Sequence, residues 1–477
     1  MGVSTHGHLL LALDAGTTGA RAMLVDPAGA VLGVDKRPIA SRFPGPGLVE
    51  QDPAEVWMIC RAVIDGALAA AGRSIADIAA IGVTTQRASI VLWDRATGEP
   101  VAPMLVWSDL RGMDEYKRLR AAGFTGWPQV PSAKLPGAIA LSGRDPNDLQ
   151  WGTLDSWLIY KLSGAHVTDA SAAWLTGYYD YANGAGWDAA LLAHQRLPAS
   201  MFPAQVDSWG AIAESDPAVL GARVPITALI ADQEAAMVAH GALGRGDWKA
   251  TYGTSGVLMA GTGDVPETIH NSMPAEALAF AGGKPRFCVE GMVITTGSMI
   301  EWLCGGLGLF ASPPAMEAAA ASVADAGKVV VRPSLAGMGA PHGKFEARGL
   351  IAGLSFADGP GQVARAALQG IAFRFREIAD VMAAALPVPE VLPVAGGLSA
   401  SDTLMQLQAD ALQRPVRRHA VREASAYGAA LAAGMGAGLF GEGDLKRLAR
   451  YDAEFLPKVG RDEADAVFAR WRDAVAV

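Results

Sequence analysis

Two short segments constrain the fold of this chain more than anything else in it: Asp14-Ala15-Gly16-Thr17-Thr18-Gly19-Ala20-Arg21 and Thr251-Tyr252-Gly253-Thr254-Ser255-Gly256. Each carries an apolar run of strand length through a Gly-Thr turn into a second apolar run. Leu9 to Leu13 leads into the first turn and Arg21 to Val25 leaves it; the second turn sits within Lys249 to Gly261. Asp26-Pro27-Ala28-Gly29 then turns the chain into a third strand from Ala30 to Val34, so the protein opens as an antiparallel meander. Asp52-Pro53-Ala54-Glu55 follows, with a carboxylate at the N-cap, proline at the first turn and glutamate at the third position. This predicts a helix to Ala71, with a strand after it from Ile78 to Thr84. Two related hairpins, one opening each half, imply a duplicated α/β architecture with a cleft between the halves, not a solenoid of short repeats. Gly and charge interrupt apolar sequence at His240 to Asp247, which sets the expected domains at 1–244 and 245–477. Gly-rich stretches such as Ala336 to Gly343 read as loops.

The 477 residues suffice for two or three domains, each with a substantial core, and 51% are hydrophobic. The net charge of −9, with no basic block, argues against nucleic acid or an anionic membrane surface as partner. An anionic small ligand stays open, because a local site of backbone amides and a metal is enough to hold one. Cys60, Cys288 and Cys304 are far apart and form no CxxC, which points to a reducing, cytoplasmic setting. The opening MGVSTHGH lacks the pattern of a secretory leader, and no run reaches the roughly 18 apolar residues of a membrane span.

Phosphate binding needs backbone N–H groups that approach oxygen closely, so glycine belongs wherever a Cβ would intrude. In the first hairpin Gly16 meets that need, Thr17 and Thr18 offer hydroxyls, Arg21 a positive fork, and Asp14 a strand-end carboxylate for Mg²⁺. Alone, this is as readily an ordinary hairpin turn; the second Gly-Thr hairpin shifts the balance. Neither segment is a Walker A loop or a GxGxxG turn. Gly396-Gly397-Leu398-Ser399-Ala400-Ser401-Asp402 forms a third element, after a strand whose Pro393 argues for an edge or strand-end position. Leu404, Leu407 and Ala411 follow at helical spacing, so Ser401 or Asp402 caps that helix. Asp232-Gln233, after the apolar run Ile226 to Ile230, suits a general base facing a cleft, or a helix N-cap, or both. Thr84-Thr85-Gln86-Arg87 and Trp107 offer a donor fork and an apolar face for a sugar; singly, a salt-bridged Arg and a core Trp are the plainer reading.

In this order the pieces resemble the FGGY family of carbohydrate kinases, and most nearly its glycerol kinase branch, from about Leu9 to Phe440. The matching stretches include DAGTTGAR, VEQDPAEVW, TTQR, LVWSDLR, GTLDSWLIYKLSG, HVTD, ADQEAA, TYGTSG, AGGLSASDTLMQLQAD and REASAYGAALAAG. The resemblance implies the two-domain actin-like ATPase (ribonuclease H-like) fold, with nucleotide in the interdomain cleft. It implies that ATP and Mg²⁺ are required, with Asp232 as the base that deprotonates the acceptor hydroxyl and Asp14 as the metal-side carboxylate. Thr17, Thr18 and Arg21 would meet the β- and γ-phosphates, and Gly253 and Thr254 the same phosphates from the other half. Gly297, Glu301, Gly397 and Ser401 would line the nucleotide site, Glu301 standing where the branch has Gln and Ser401 where it has Asn. Arg87, Ala88, Trp107, Gln129, Asp232 and Gln233 would form the substrate site, in a homodimer or other homo-oligomer.

That site departs from the glycerol kinase branch. Ala88 stands where the branch has a hydroxyl-accepting Glu, Gln129 where it has Tyr, Gly137 where the family pattern ends in Trp, and Val257 where the branch has Phe. A lost charged hydrogen bond costs about 1.5–3 kcal/mol, so the expectation is a substrate larger than glycerol: a tetritol, pentitol or pentulose. Two other readings compete. An ATP-binding scaffold on the same fold leaves Arg87, Trp107 and Asp232 unexplained, and intact Asp14 and Asp232 argue against a dead sensor.

Overall fold

The computed structural model describes residues 8–476, so the opening residues searched for a leader lie outside it. The chain divides into two units: residues up to 241 with 276–285 and 425–448, and residues 242–275 with 286–424 and the segment from 449 on. The first crossing falls close to the expected 244/245, but the chain then returns to the first unit twice.

In the first unit six strands form one sheet, in the order Trp209–Glu214, Pro225–Leu229, Ile78–Thr85, Leu9–Ala15, Gly19–Val25 and Val31–Pro38. The last three are the antiparallel meander. Ile78–Thr85 runs parallel to both Leu9–Ala15 and Pro225–Leu229, and Trp209–Glu214 closes the far edge antiparallel. Leu9–Ala15 is buried along its whole length, as a central strand covered on both faces must be. Val31–Pro38 runs four residues beyond the apolar stretch that marked it. It is the outer strand, and Asp35, Lys36 and Arg37 give its free edge the charge that discourages pairing with other chains.

The helix Pro53–Ala71 starts as anticipated: the Asp52 carboxylate accepts from the Ala54 and Glu55 amides, and Gly72 ends the helix at φ 62°. Val56, Cys60, Val63, Ile64 and Ala67 make its buried stripe, packed on the meander. A later helix, Ala424–Gly436, belongs to the first unit from Ser425 onward. It lies almost backbone to backbone on its neighbours. A Cβ at Gly82 would come 2.1 Å from the Ala429 oxygen, and one at Gly428 would come 1.7 Å from the Ala235 oxygen. Only glycine allows that approach. The Thr227 hydroxyl adds a bond of 2.8 Å to the Ala433 carbonyl.

The second unit follows the same plan. Lys284–Val293, Gly256–Gly263 and Trp248–Tyr252 form an antiparallel meander. Trp248–Tyr252 runs parallel to Leu392–Ala395, which runs parallel to Val416–His419, and Tyr451–Phe455 closes the edge antiparallel. Its core gathers Tyr252, Phe373, Phe375, Met405, Phe468 and Trp471. Of the edge and strand-end positions open to Pro393, the edge is not found, because its strand is flanked on both sides; Pro393 is the second residue of the strand. The Leu392 amide donates toward Pro415, so the donor missing at Pro393 would point the other way. On that side the ladder begins only at Val394, paired with Ala250. A proline there costs no sheet bond.

Candidate active site

Three neighbouring strands of the first unit end side by side, and each delivers candidate residues at its carboxyl end. Asp14 closes Leu9–Ala15, Gln86 and Arg87 follow Ile78–Thr85, and Asp232 follows Pro225–Leu229. The carboxyl edge of such a sheet is where ligands of α/β proteins bind. Asp14 is 2% exposed and faces Arg21 in register, their side chains 3.3 Å apart. Arg21, expected as a phosphate fork, is therefore paired with Asp14.

The first Gly-Thr turn is gripped by side chains. The Gly16 amide donates to the Gly19 carbonyl at 3.0 Å, closing the turn, and Thr18 accepts from the Ile39 amide at 3.1 Å. The Thr17 hydroxyl donates to Gln86 Oε1 at 3.1 Å and accepts from the Trp107 indole at 2.9 Å. Gln51 donates to the Thr17 carbonyl at 2.7 Å, and Gln86 donates to Gln51 at 3.2 Å. Trp107 thus serves the turn through its N–H as well as offering a ring face. Its loop is braced by Arg111, bidentate on Asp109 at 2.8 and 2.9 Å and bound to Glu50 at 2.6 Å.

Around Arg87 three carboxylates converge. Nη1 lies 3.1 Å from Glu234 Oε1 and 3.1 Å from Glu276 Oε2, and Nε lies 3.6 Å from Asp232 Oδ1. Asp232 is the first residue of the helix Asp232–Ala239, with Ala231 as N-cap, so the capping alternative does not hold. Gln233 follows it, half-buried. Next to Arg87, Ala88 sits at φ 57°, and its carbonyl accepts from the buried Lys134 ammonium at 2.9 Å, as does that of Val106. Burial pulls this ammonium down to about 7. Gln129 lies half-buried in the turn before the helix Pro131–Ser142, which carries Lys134.

Behind Asp232 runs a buried polar chain. The Ala231 amide donates to the Ser171 hydroxyl at 2.8 Å, Ser171 donates to Asp169, and the Ser208 hydroxyl donates to Asp169 at 2.7 Å. Burial, with the nearby Asp155 charge adding to it, pushes the Asp169 carboxyl up to about 6 against these hydrogen bonds.

In the second unit the candidate residues meet through main chain instead. The Gly297 amide donates to Gly253 at 3.0 Å, and Thr296 and Ser298 amides donate to Thr254 at 3.2 and 3.1 Å. A Cβ on Gly297 would come 2.6 Å from the Gly253 oxygen. Gly396, at φ 93°, would bring a Cβ 2.4 Å from the Tyr252 oxygen. Beyond it Gly397, Leu398 and Ser401 line a largely apolar pocket of about 310 Å³ with Ile300, Pro313 and Glu317. Ser401 is the N-cap of Asp402–Leu412, as one of the two expected caps. Its hydroxyl also donates to Glu317, which accepts from the Thr403 amide at 3.0 Å. Glu301 ends the short helix Gly297–Glu301, exposed, and does not line this pocket.

The first unit thus brings together Asp14, Thr17, Arg21, Arg87, Ala88, Trp107 and Asp232, and the second Gly253, Thr254, Gly297, Gly397 and Ser401. Sequence reasoning missed Gln51, Glu234, Glu276, Lys134, Asp169 and Glu317. Glu234 was within reach, two residues after Asp232. Glu276 carried no local signal, because it meets Arg87 across 189 positions.

Family models match both parts of the chain: the N-terminal domain of the FGGY family of carbohydrate kinases over residues 9–126 and 143–239, and its C-terminal domain over 248–437. The glycerol kinase of Gloeobacter violaceus is 39% identical over 98% of this chain and 96% of its own. Among solved structures, Plasmodium falciparum glycerol kinase with ADP superposes with a TM-score of 0.88 at 23% identity, covering 98% of both chains. Xylulose kinase from Rhodospirillum rubrum does so at 0.84 and 27% identity, with the same coverage. The chain belongs to the FGGY family of carbohydrate kinases: it is a phosphotransferase acting on a small sugar or polyol.

Proposed function

We propose that this kinase moves the γ-phosphoryl group of ATP to a hydroxyl of a polyol or sugar larger than glycerol: a tetritol, pentitol or pentulose. The observation that carries this reading is the pairing of Asp232 with Arg87 at adjacent strand ends, beside an alanine at position 88. Arg87 orients the substrate, and Asp232, 24% exposed at its side chain, takes the proton of the attacking hydroxyl as the new bond to phosphorus forms. Phosphoryl transfer asks a protein mainly for positioning and charge stabilisation. The Thr17 turn, held by Gln51, Gln86 and Trp107, supports the positioning of phosphate oxygens, and Gly253, Thr254 and Gly297 offer backbone that phosphate can approach. The pocket beside Ser401 suits a flat base, with Glu317 as a polar contact.

Mg²⁺ supplies charge neutralisation on the phosphates when bound. Among the described residues no group of three His, Cys, Asp or Glu side chains forms a metal cage. Asp14, at the end of Leu9–Ala15, is the carboxylate that would hold the ion. A cytoplasmic homodimer or other homo-oligomer completes the reading. The cytoplasmic part of it is supported by three free cysteines, two of them buried.

Glycerol itself is the second reading, favoured by the identity to glycerol kinases over nearly the whole chain. ADP release measured over glycerol, tetritols, pentitols and pentuloses separates the two. The highest kcat/KM should fall on a four- or five-carbon substrate; a clear glycerol optimum overturns the size assignment.

A further inference from the structure

Arg87 is shared unequally by its three carboxylates. The Glu234 side chain is 0% exposed, so it anchors the guanidinium from behind. Glu276 and Asp232 keep contact with solvent, at 9% and 24%. A carboxylate has about four acceptor sites, and the part of Glu276 that reaches solvent beside Arg87 is where a hydroxyl would meet it. Tyr181 carries a phenol that burial, and then the Glu276 charge, push up. Its hydroxyl is tucked onto the Trp174 carbonyl, its ring stands edge-on to Trp174 at 4.8 Å, and 43% of the residue is exposed.

We propose that Glu276 is a substrate-binding, specificity-determining carboxylate, which accepts a hydroxyl of the longer substrate in place of the acceptor absent at Ala88. The inference rests on the kinase reading above and deepens it: the preferred substrate is neutral and polyhydroxylated, and a carboxylate-bearing aldonate is repelled by the acidic surround of Arg87.

The test is steady-state kinetics of Glu276→Gln and Glu276→Ala over glycerol, a tetritol, a pentitol, a pentulose and an aldonate, with ATP varied separately. Glu276→Gln keeps size and one acceptor oxygen while removing the charge, and a thermal midpoint near that of the unaltered protein establishes folding. The KM of the best neutral substrate should rise about 10-fold or more, with kcat within about 3-fold. The KM for ATP should not move, the KM for glycerol should rise less than that of the best neutral substrate, and the aldonate should stay the poorest substrate of the unaltered protein. Unchanged KM for every acceptor overturns the proposal. So does an equal loss of kcat on all acceptors, glycerol included, which marks Glu276 as an anchor of Arg87 only. If the unaltered protein releases ADP with none of the panel, the kinase reading fails first and this one with it.

Discussion

The carboxyl rims of the two sheets are built on one strand plan but from opposite materials. In the first unit the rim is ionic and held by side chains: Asp14 with Arg21, Thr17 with Gln86 and Trp107, and Arg87 among three carboxylates. In the second unit it is glycine and main chain: Gly253 and Thr254 accept backbone amides, and Gly396 presses on Tyr252. The difference teaches that one strand plan can carry two kinds of rim. One rim supplies charge at defined points, where the kind of side chain decides the chemistry. The other supplies closeness, where the absence of a side chain decides it.

Four changes would break or sharpen this contrast. The largest effect is expected at the ionic rim. Asp232→Asn should lower kcat by about 10²–10⁴-fold, the usual contribution of a general base, with an unchanged thermal midpoint; substantial turnover in this variant would remove Asp232 from its role. At the glycine rim, Gly396→Ala meets both a positive φ and a carbonyl 2.4 Å away. Strain of roughly 1–3 kcal/mol should lower the denaturation midpoint and raise the KM for ATP more than that for the acceptor. Equal effects on both substrates would erase the division between the rims.

The third change concerns the support beneath Asp232. The folded Asp169 carboxyl lies at about 6, raised from 3.8 by burial. A raised folded value favours the protonated form. The stability that protonation contributes is therefore fully present below 3.8 and lost as pH rises through about 6. That window spans about 2–3 kcal/mol at 1.36 kcal/mol for each unit. Asp169→Asn should flatten the stability profile between roughly pH 4 and 7 relative to the unaltered protein, as read by denaturant titration at each pH. Parallel profiles would show that Asp169 stays ionised throughout. The smallest effect is expected for Trp107→Phe, which keeps a ring but deletes the bond to Thr17. A loss of about 0.5–1.5 kcal/mol predicts a rise of a few-fold to roughly 10-fold in KM, and a neutral result would reduce that bond to packing.

Local patterns made the first rim's scaffold legible in the sequence. Alternation of apolar runs and turns located the meander, Asp52-Pro53 located a helix start, and both Gly-Thr hairpins stood out by composition. Two kinds of feature stayed hidden. Contacts between distant positions, such as Glu276 with Arg87, leave no periodic trace, and neither does the polar second half of the outer strand, Asp35 to Pro38. Pro393 left edge and strand-end open for a related reason: whether a proline costs a sheet bond depends on which way its missing donor points, and this is set only when the neighbouring strand is in place. Of the candidate residues, those on strand ends were readable from motif context. The buried supports, Lys134 and Asp169, needed the fold to reveal what they hold.

The helix that lies on Gly82 and Gly428 contacts has a consequence for how the protein is made. Residues 425–448 complete the first unit, yet a ribosome delivers them only after nearly nine-tenths of the chain has emerged. The nascent N-terminal sheet must wait with one groove uncovered while the second unit is synthesised, a window in which large proteins are prone to aggregate. A chain stopped short of Ser425 would leave that groove permanently open, so premature termination late in the message would damage the earliest part of the protein.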